Sequence, residues 1–304
     1  MVRRLERKSA RILAIILAFI MLGSVFAYVS GGGTREKRET RFNFETLEVL
    51  DYLPENSIVS YYNLTELSVL TKKLGKNDAL VNYTESLLLQ ELNYAYRSYL
   101  DRRIVEFTEG LKELLVVRYG DFDLYFINEN ASKVYFAKQT EQKVGNLTVK
   151  FHGAVAIAEE IHPLPIGYYP LVLGVVERID QGKASNYSSY FKRLNGSFAF
   201  AIVIFGNETG RYVTITQNES PVDFFFQGFR LNETSGNYEK VWAIHFTENY
   251  FFSEINETQK DFEYYEFENF EDGLSVAVMG DKNFTKVLEA RPSVMGIIIT
   301  EVGK

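Results

Sequence analysis

The longest uncharged stretch of the chain lies near its N-terminus. Residues 12–29 are eighteen positions without a charged side chain, enough for about 27 Å of helix. Five basic residues precede the stretch: Arg3, Arg4, Arg7, Lys8 and Arg11. A membrane-spanning helix needs roughly 20 apolar residues. The pattern predicts a basic flank over residues 1–11, a transmembrane signal-anchor over 12–30 and a linker over 31–41.

A cleaved signal peptide is the competing interpretation of the same stretch. Residues 12–22 would form its apolar core, and Val25 and Ala27 would supply the small residues before a cut after Ala27. A buried helix of a soluble domain is disfavoured, because such a helix would show a polar stripe. Either way, the basic flank predicts a cytoplasmic N-terminus and an extracytoplasmic body at the cell membrane.

Beyond the linker, apolar residues first recur with helical spacing. Residues 44–53 show this spacing before Pro54, and Asn63 precedes a second short helical pattern over 64–74. From residue 88 to residue 114, apolar side chains recur every three or four positions. This stripe predicts one long helix that lies across a sheet, in preference to a helix that binds a partner.

After residue 120 the pattern becomes typical of strands. Residues 198–205 are almost wholly apolar and predict a central strand covered on both faces. Other predicted strands are 57–62, 122–127, 133–137, 147–151, 154–158, 212–216, 223–229, 240–246, 261–267, 274–279 and 294–299. Further predicted helices are 169–179, 186–194 and 283–289.

These elements predict an α+β ectodomain, with a mainly antiparallel sheet covered by a long helix. Prolines 163 and 165 mark a boundary between two α+β units, residues 42–162 and residues 163–304. Asn63-Leu-Thr and Asn283-Phe-Thr each stand between a predicted strand and a predicted helix. From this echo we raise the hypothesis of a duplicated α+β unit.

Glycosylation acceptors of the form Asn-X-Ser/Thr are unusually frequent after the apolar stretch. They take up eleven of the nineteen asparagines, where random placement would give about two. Turn and helix-cap preferences account for two or three of them. The sequence therefore predicts an externally exposed glycoprotein. The acceptors are Asn63, Asn82, Asn130, Asn146, Asn186, Asn195, Asn207, Asn218, Asn232, Asn256 and Asn283.

Charge and cysteine content exclude several function classes. Residues 1–41 hold nine Lys/Arg and three Asp/Glu, so the rest of the chain carries a net charge of −13. An acidic body repels phosphate, so we exclude nucleic acid as a partner. The absence of cysteine excludes thiol catalysis, cysteine-bound zinc and a lipid anchor on cysteine.

In style, the chain resembles uncharacterised, membrane-anchored surface proteins of hyperthermophilic archaea of the Thermococcus and Pyrococcus kind. The shared features are a basic start, a single span, many acceptor sites, no cysteine, and abundant Tyr and Phe. The resemblance rests on no catalytic motif and implies no activity.

Candidate chemistry is sparse, and the sequence carries no signature of a bound cofactor. The best metal candidate combines His152 with Glu159, Glu160 and His162, because imidazole and carboxylate suit Zn²⁺ or Fe²⁺. Histidines at a strand end near prolines are more commonly plain surface residues, and no spacing signature supports the metal site, so the sequence favours the surface interpretation. The acidic, aromatic run 261–272 is typical either of a carbohydrate-cleaving cleft or of a half-buried strand, and alternation favours the strand.

We therefore expect a membrane-anchored, glycosylated surface protein with a non-catalytic binding or accessory role. Its partners would be the lipid bilayer, through residues 12–30, and an envelope protein or surface polymer. The alternative is an envelope hydrolase that acts on glycans, through carboxylates of the run 261–272 or through a metal at His152 and His162.

Overall fold

The computed structural model describes residues 40–101, 103–107, 110–128, 134–211, 213, 221–254 and 262–296. All of them belong to one compact unit, residues 40–304. The expected signal-anchor, its alternative cleavage site and most of the linker lie outside the described residues. Every helix among the described residues is either too short or too polar to span a bilayer.

Helices are few and strands are many. The helices are α1 (Leu64–Leu74), α2 (Ala79–Ser98), α3 (Tyr169–Asp180), α4 (Ser188–Phe191) and α5 (Phe284–Glu289), with 3₁₀ segments at Glu48–Tyr52 and Gly206–Arg211. The strands are β1 (Phe42–Asn43), β2 (Ile58–Asn63), β3 (Val105–Phe107), β4 (Glu113–Tyr119), β5 (Phe122–Asn128), β6 (Val134–Phe136), β7 (Thr140–Val144), β8 (Leu147–His152), β9 (Val155–Ile157), β10 (Ile161–His162), β11 (Leu164–Tyr168), β12 (Phe200–Phe205), β13 (Val222–Leu231), β14 (Tyr238–Phe246), β15 (Tyr250–Ser253), β16 (Tyr264–Asn269), β17 (Leu274–Asp281) and β18 (Ser293–Gly296).

One large antiparallel sheet dominates the described residues, in the order β16-β17-β14-β13-β12-β2-β4-β5-β11-β9-β8-β7. Each neighbouring pair runs antiparallel. The central strand predicted over 198–205 is confirmed as β12, which pairs with β2 and β13. The α+β class and the antiparallel sheet are therefore both confirmed.

Helices cover both faces of the sheet. On one face, α3 buries Val172, Val175 and Val176 in a core shared with the 3₁₀ segment Glu48–Tyr52. On the other face, α1, α2 and α5 pack over a second core, to which α2 contributes Leu88. The central strands are consequently buried on both sides, which explains their continuous apolar runs.

The long helix predicted across residues 88–114 is wrong in its second half. Helix α2 ends at Ser98, residues 105–107 form β3, and residues 113–119 form β4. Leu114 belongs to a doubly buried strand, so its spacing from Leu88 is coincidental. The helix predicted over 44–53 is the shorter 3₁₀ segment, and the one predicted over 186–194 shrinks to α4.

The two predicted α+β units share the same continuous sheet. Strand β11, just after the boundary at residue 163, pairs with both β5 and β9 of the preceding unit. Asn63 and Asn283 do both cap helices, through bonds to the backbone N–H groups of Glu66 and Thr285. However, Asn63 follows β2 at the centre of the sheet, while Asn283 follows β17 near its edge. Duplication therefore stays a hypothesis.

Candidate functional site

A cavity of about 600 Å³ opens between helix α2 and the turn that joins β4 to β5. This volume lies in the range of small-molecule sites, roughly 300–1,000 Å³. The cavity contains four ionisable side chains, three acidic and one basic. It is lined by Leu87, Gln90, Glu91, Tyr94, Arg118, Gly120, Asp121 and Asp123.

Helix α2 brings Glu91 to the cavity from its buried face. Thr84, Leu88, Glu91 and Ala95 are all buried, and their spacing of four, three and four residues is that of one helical stripe. Glu91 is only 8% exposed. A carboxylate at a core-facing position requires a partner, because burial of an unpaired charge is costly.

The β4–β5 hairpin supplies the opposite wall. In its register Tyr119 pairs with Phe122 and Arg118 pairs with Asp123, which leaves a two-residue loop that begins with Gly120. Gly120 has a φ of 60°, as tight two-residue hairpin loops require. The turn thus makes Arg118 and Asp123 direct cross-strand neighbours.

Arg118 and Glu91 form an ion pair that joins the sheet to the helix. Nη2 of Arg118 donates a hydrogen bond to Oε1 of Glu91, and the two side chains are 42% and 11% exposed. Burial is the largest single influence on the pKa of Arg118 and lowers it, but the hydrogen bond to Glu91 and the nearby charges of Glu91 and Asp123 together raise the pKa above its ordinary value. The guanidinium is therefore charged and lies against the buried side chain of Glu91.

Asp123 is the most buried ionisable group of the cavity, at 4% exposure. Its Oδ2 accepts a hydrogen bond from the hydroxyl of Tyr125 at 3.1 Å. Burial raises the pKa of Asp123, although Tyr125 and Arg118 act in the opposite direction. A carboxyl with a raised pKa in a cavity is a common mark of a functional site.

The charges of the cavity disfavour an anionic ligand. Its one guanidinium, Arg118, is paired with Glu91, and Asp121 and Asp123 add two further carboxyls. Hydrogen-bonding groups line the interior, and Tyr94, 48% exposed, adds an apolar ring. Hydrogen-bonding side chains beside an aromatic surface are complementary to a polyhydroxylated ring such as a sugar.

The predicted metal site gains no support from the structure. Nδ1 of His152 lies 2.5 Å from the carbonyl oxygen of Ala137, and Glu160 accepts a hydrogen bond from the backbone N–H of Thr148 at 3.0 Å. Burial lowers the pKa of His162. Among the residues that the structure describes, no group of three or more His, Asp or Glu side chains has a geometry that could hold a metal ion.

The described part of the acidic run, residues 262–272, does not form one cluster of carboxylates. Glu263 accepts a hydrogen bond from an asparagine side chain at 2.7 Å, and Asp272 is held by an arginine. Glu266 and Glu268 are exposed on β16, which lies at the edge of the sheet. The run is thus an edge strand and its following turn.

Most acceptor asparagines that the structure describes lie at the surface. Asn63 and Asn232 are half-buried. Asn130, Asn218 and Asn256 lie outside the described residues. The exposed acceptors are Asn82, Asn146, Asn186, Asn195, Asn207 and Asn283.

The sequence patterns did not predict a site at the residues of this cavity. One signal was present, because Glu91 interrupts the apolar stripe of α2 on its buried side. A second was Asp123, a charge inside the otherwise apolar strand β5. Nothing in the sequence, however, shows that α2 passes over the β4–β5 turn.

Comparison with known proteins identifies the family. An uncharacterized protein of Archaeoglobus fulgidus is 43% identical over 302 residues, which cover 97% of this chain and 96% of the relative. A model for the N-terminal domain of a family, AF_2048_N, matches residues 43–180. The chain belongs to this archaeal family. The matched segment ends with α3 and contains every residue of the cavity.

The membership confirms a resemblance to uncharacterised archaeal proteins, while the kinship with Thermococcus and Pyrococcus surface proteins stays a prediction. Solved structures of TP0453 are only distantly similar. Crystal form III gives a TM-score of 0.36 at 8% identity, over 81% of this chain and 98% of that one. Crystal form I gives 0.34 at 8% identity, over 81% and 97%.

Proposed function

We propose that this protein is a membrane-anchored, glycosylated, extracytoplasmic binding protein. Its cavity between α2 and the β4–β5 turn binds a neutral sugar unit of a surface polymer. The observation that carries the proposal is the buried polar lining, in which Arg118 pairs with Glu91 beside the buried carboxyl of Asp123. Such a lining offers hydrogen bonds to the hydroxyl groups of a sugar.

The anchor and the glycans rest on two features of the chain. Residues 12–30 follow a basic flank, which favours a cytoplasmic N-terminus and an external body. Six of the eight acceptor asparagines within the described residues are exposed, so an oligosaccharide transferase can reach them. Neither feature of itself indicates catalysis.

A second candidate function is hydrolysis of glycans in the envelope. The observation in its favour is the raised pKa of Asp123, caused by burial, because the general acid of a glycosidase must hold its proton near neutral pH. Asp121, exposed in the same cavity, would be the second carboxyl. We rank this candidate lower because it rests on the pKa of one carboxyl, whereas the whole polar lining supports the binding proposal.

Saturation-transfer NMR with methyl glycosides of glucose, mannose, galactose and N-acetylglucosamine tests the binding proposal. At least one should receive saturation from the protein purified from native membranes. Replacement of the rim residue, Tyr94→Ala, should weaken its binding by about three- to tenfold, the loss of one aromatic contact. Tyr135→Ala, at another exposed tyrosine (60% exposed), is the matched control. Binding of none of the four, or equal loss in both variants, would contradict the proposal.

Incubation with oligosaccharides of the same sugars separates binding from hydrolysis. A binding protein leaves them intact, while a hydrolase releases new reducing ends. If reducing ends appear and Asp123→Asn abolishes their release, the hydrolase replaces the binding protein as the proposed function.

A further inference from the structure

A second cavity, of about 580 Å³, lies on the other half of the sheet. Its floor includes Val241, Val276 and Val278, from the neighbouring strands β14 and β17. Val241 is 2% exposed, and the other two are half-buried. We call this cavity the valine groove.

The wall of the valine groove is a buried and neutralised network around Glu239, which is 3% exposed. Nε of Arg230 donates to Oε2 of Glu239 at 2.5 Å. Asn232 and Tyr264 both donate to Oε1 of Glu239, the first at 2.7 Å. Burial would raise the pKa of Glu239, but these hydrogen bonds lower it, so the group is a fixed carboxylate.

The rim of the valine groove carries further hydrogen-bonding groups. Glu266 and Glu268 expose their carboxylates along β16. Arg193, which also lines the groove, donates two hydrogen bonds of 2.8 and 2.7 Å to Asp272. An apolar floor below a polar rim matches the two sides of a sugar ring, whose C–H groups and hydroxyls face different directions.

Two glycosylation acceptors line this groove, and the structure distinguishes them. Nδ2 of Asn232 donates a hydrogen bond to Glu239. Oδ1 of Asn232 accepts hydrogen bonds from the backbone N–H groups of Thr234 and Ser235 at 3.0 and 3.1 Å. Asn195 is exposed, and its side chain has no hydrogen-bond partner among the described residues. Asn195 also lines an adjoining cavity of about 440 Å³, so it stands at the junction of the two.

We propose that the valine groove is the seat of an oligosaccharide attached to Asn195. The inference rests on the proposed glycosylation of the ectodomain. In the attachment, Nδ2 of Asn195 bonds to the anomeric carbon of a lipid-phosphate-linked oligosaccharide. The anomeric C–O bond breaks, the lipid phosphate leaves, and the amide gives up one proton to a base.

Seating of this glycan has a structural consequence. The sugar covers Val276 and Val278 and lies against the ring of Tyr264, so the groove is not open to an external partner. The cavity beside Asp123, whose lining contains no acceptor asparagine, is then the one left free for a ligand. Asn232 stays unmodified, because its amide nitrogen is committed within the fold.

Glycopeptide mass spectrometry and hydroxyl-radical footprinting of the full protein from native membranes test the inference together. Asn195 should carry a glycan and Asn232 should be bare. Oxidation at Tyr264 and Phe267 should increase several-fold in Asn195→Gln relative to the wild type. Asn186→Gln removes another exposed acceptor, which is absent from the groove lining, and should leave that oxidation unchanged.

The two measurements test different parts of the inference, the attachment of the glycan and its position in the groove. An unmodified Asn195 would overturn the inference and would also remove this residue from the proposed glycosylation sites. A glycosylated Asn195 with equal oxidation in the wild type and Asn195→Gln would overturn the seating alone, and the glycosylation would stand.

Discussion

Glu91 of helix α2 forms a hydrogen-bonded ion pair with Arg118 of strand β4. This pair connects the helix to the strand next to the β4–β5 turn. The partners differ in their access to water, since the Arg118 side chain is 42% exposed and that of Glu91 is 11% exposed. Replacement of Glu91 and replacement of Arg118 therefore have different consequences for the partner that is left. A released Arg118 can reach solvent, while a released Glu91 stays buried.

We expect the two replacements to lower the free energy of unfolding by different amounts. Arg118→Leu leaves a buried, uncompensated carboxylate and should cost about 3 kcal/mol. Glu91→Gln leaves a half-exposed guanidinium and should cost about 1 kcal/mol. Chemical denaturation of the two purified variants measures both values. A larger loss for Glu91→Gln would contradict the burial difference.

The buried carboxyl of Asp123 should make stability depend on pH. Burial raises its folded-state pKa above the unfolded value of about 3.9. Its favourable contribution is therefore complete below that value and is lost as the pH rises through the folded-state pKa. Asp123→Asn should be more stable than the wild type at pH 7 and equal to it at low pH.

The matched control for this comparison is Asp121→Asn, because Asp121 is exposed on the same turn. Its melting temperature should follow that of the wild type at every pH. If Asp123→Asn were the less stable protein at pH 7, the carboxylate would be stabilising in its ionised form and our assignment would be wrong.

His245 should give a pH dependence at neutral pH. Its Nδ1 lies 2.6 Å from Oδ1 of Asp223, and its Nε2 lies 2.8 Å from the carbonyl oxygen of Asp272. The hydrogen bond to Asp223 is the main cause of its raised pKa. The stabilisation is complete below the unfolded value of about 6.5 and is lost as the pH rises through the folded-state pKa.

The unfolding free energies of the wild type and His245→Gln, measured between pH 5 and pH 9, check this dependence. The advantage of the wild type should be largest at the acidic end and should shrink as the pH rises. An advantage that grew with pH would show that the neutral imidazole is the stabilising form.

Two glycines offer a matched test of packing against strand β5. A Cβ atom on Gly167 would lie 2.5 Å from the backbone oxygen of Asp123, while one on Gly174 in α3 would meet nothing within 4 Å. Gly167→Ala should therefore cost about 1–3 kcal/mol through overpacking. Gly174→Ala should stabilise the protein by about 0.5–1 kcal/mol, because alanine favours a helix. Denaturant titrations that showed no loss of stability in Gly167→Ala would refute the close approach of β11 to β5.

The strands buried on both faces were the most predictable part of the fold. The continuous apolar run at 198–205 has few solutions other than a covered strand, and it is β12. The helix predicted over residues 99–114 was wrong because the apolar residues there have a helical spacing by chance. Leu114 to Val117 are at most 1% exposed, and such an unbroken run is better explained by a strand between two layers of helices.

The candidate site depends on a contact that sequence patterns do not contain. Glu91 and Arg118 are 27 residues apart, and their pairing follows from the path of α2 over the sheet. The raised pKa of Asp123 likewise depends on burial by distant segments. The valine groove could be predicted only in part. The acidic run 261–272 was recognised in the sequence and supplies residues of the rim, while the floor comes from β14 and β17.

Protease treatment of intact cells tests the placement of the body outside the membrane most directly. We expect external protease to degrade the region after residue 41 in unbroken cells, and to leave a short membrane-bound fragment that contains residues 12–30 if the anchor is retained. Full protection of the chain in intact cells, with degradation only after lysis, would contradict the extracytoplasmic placement.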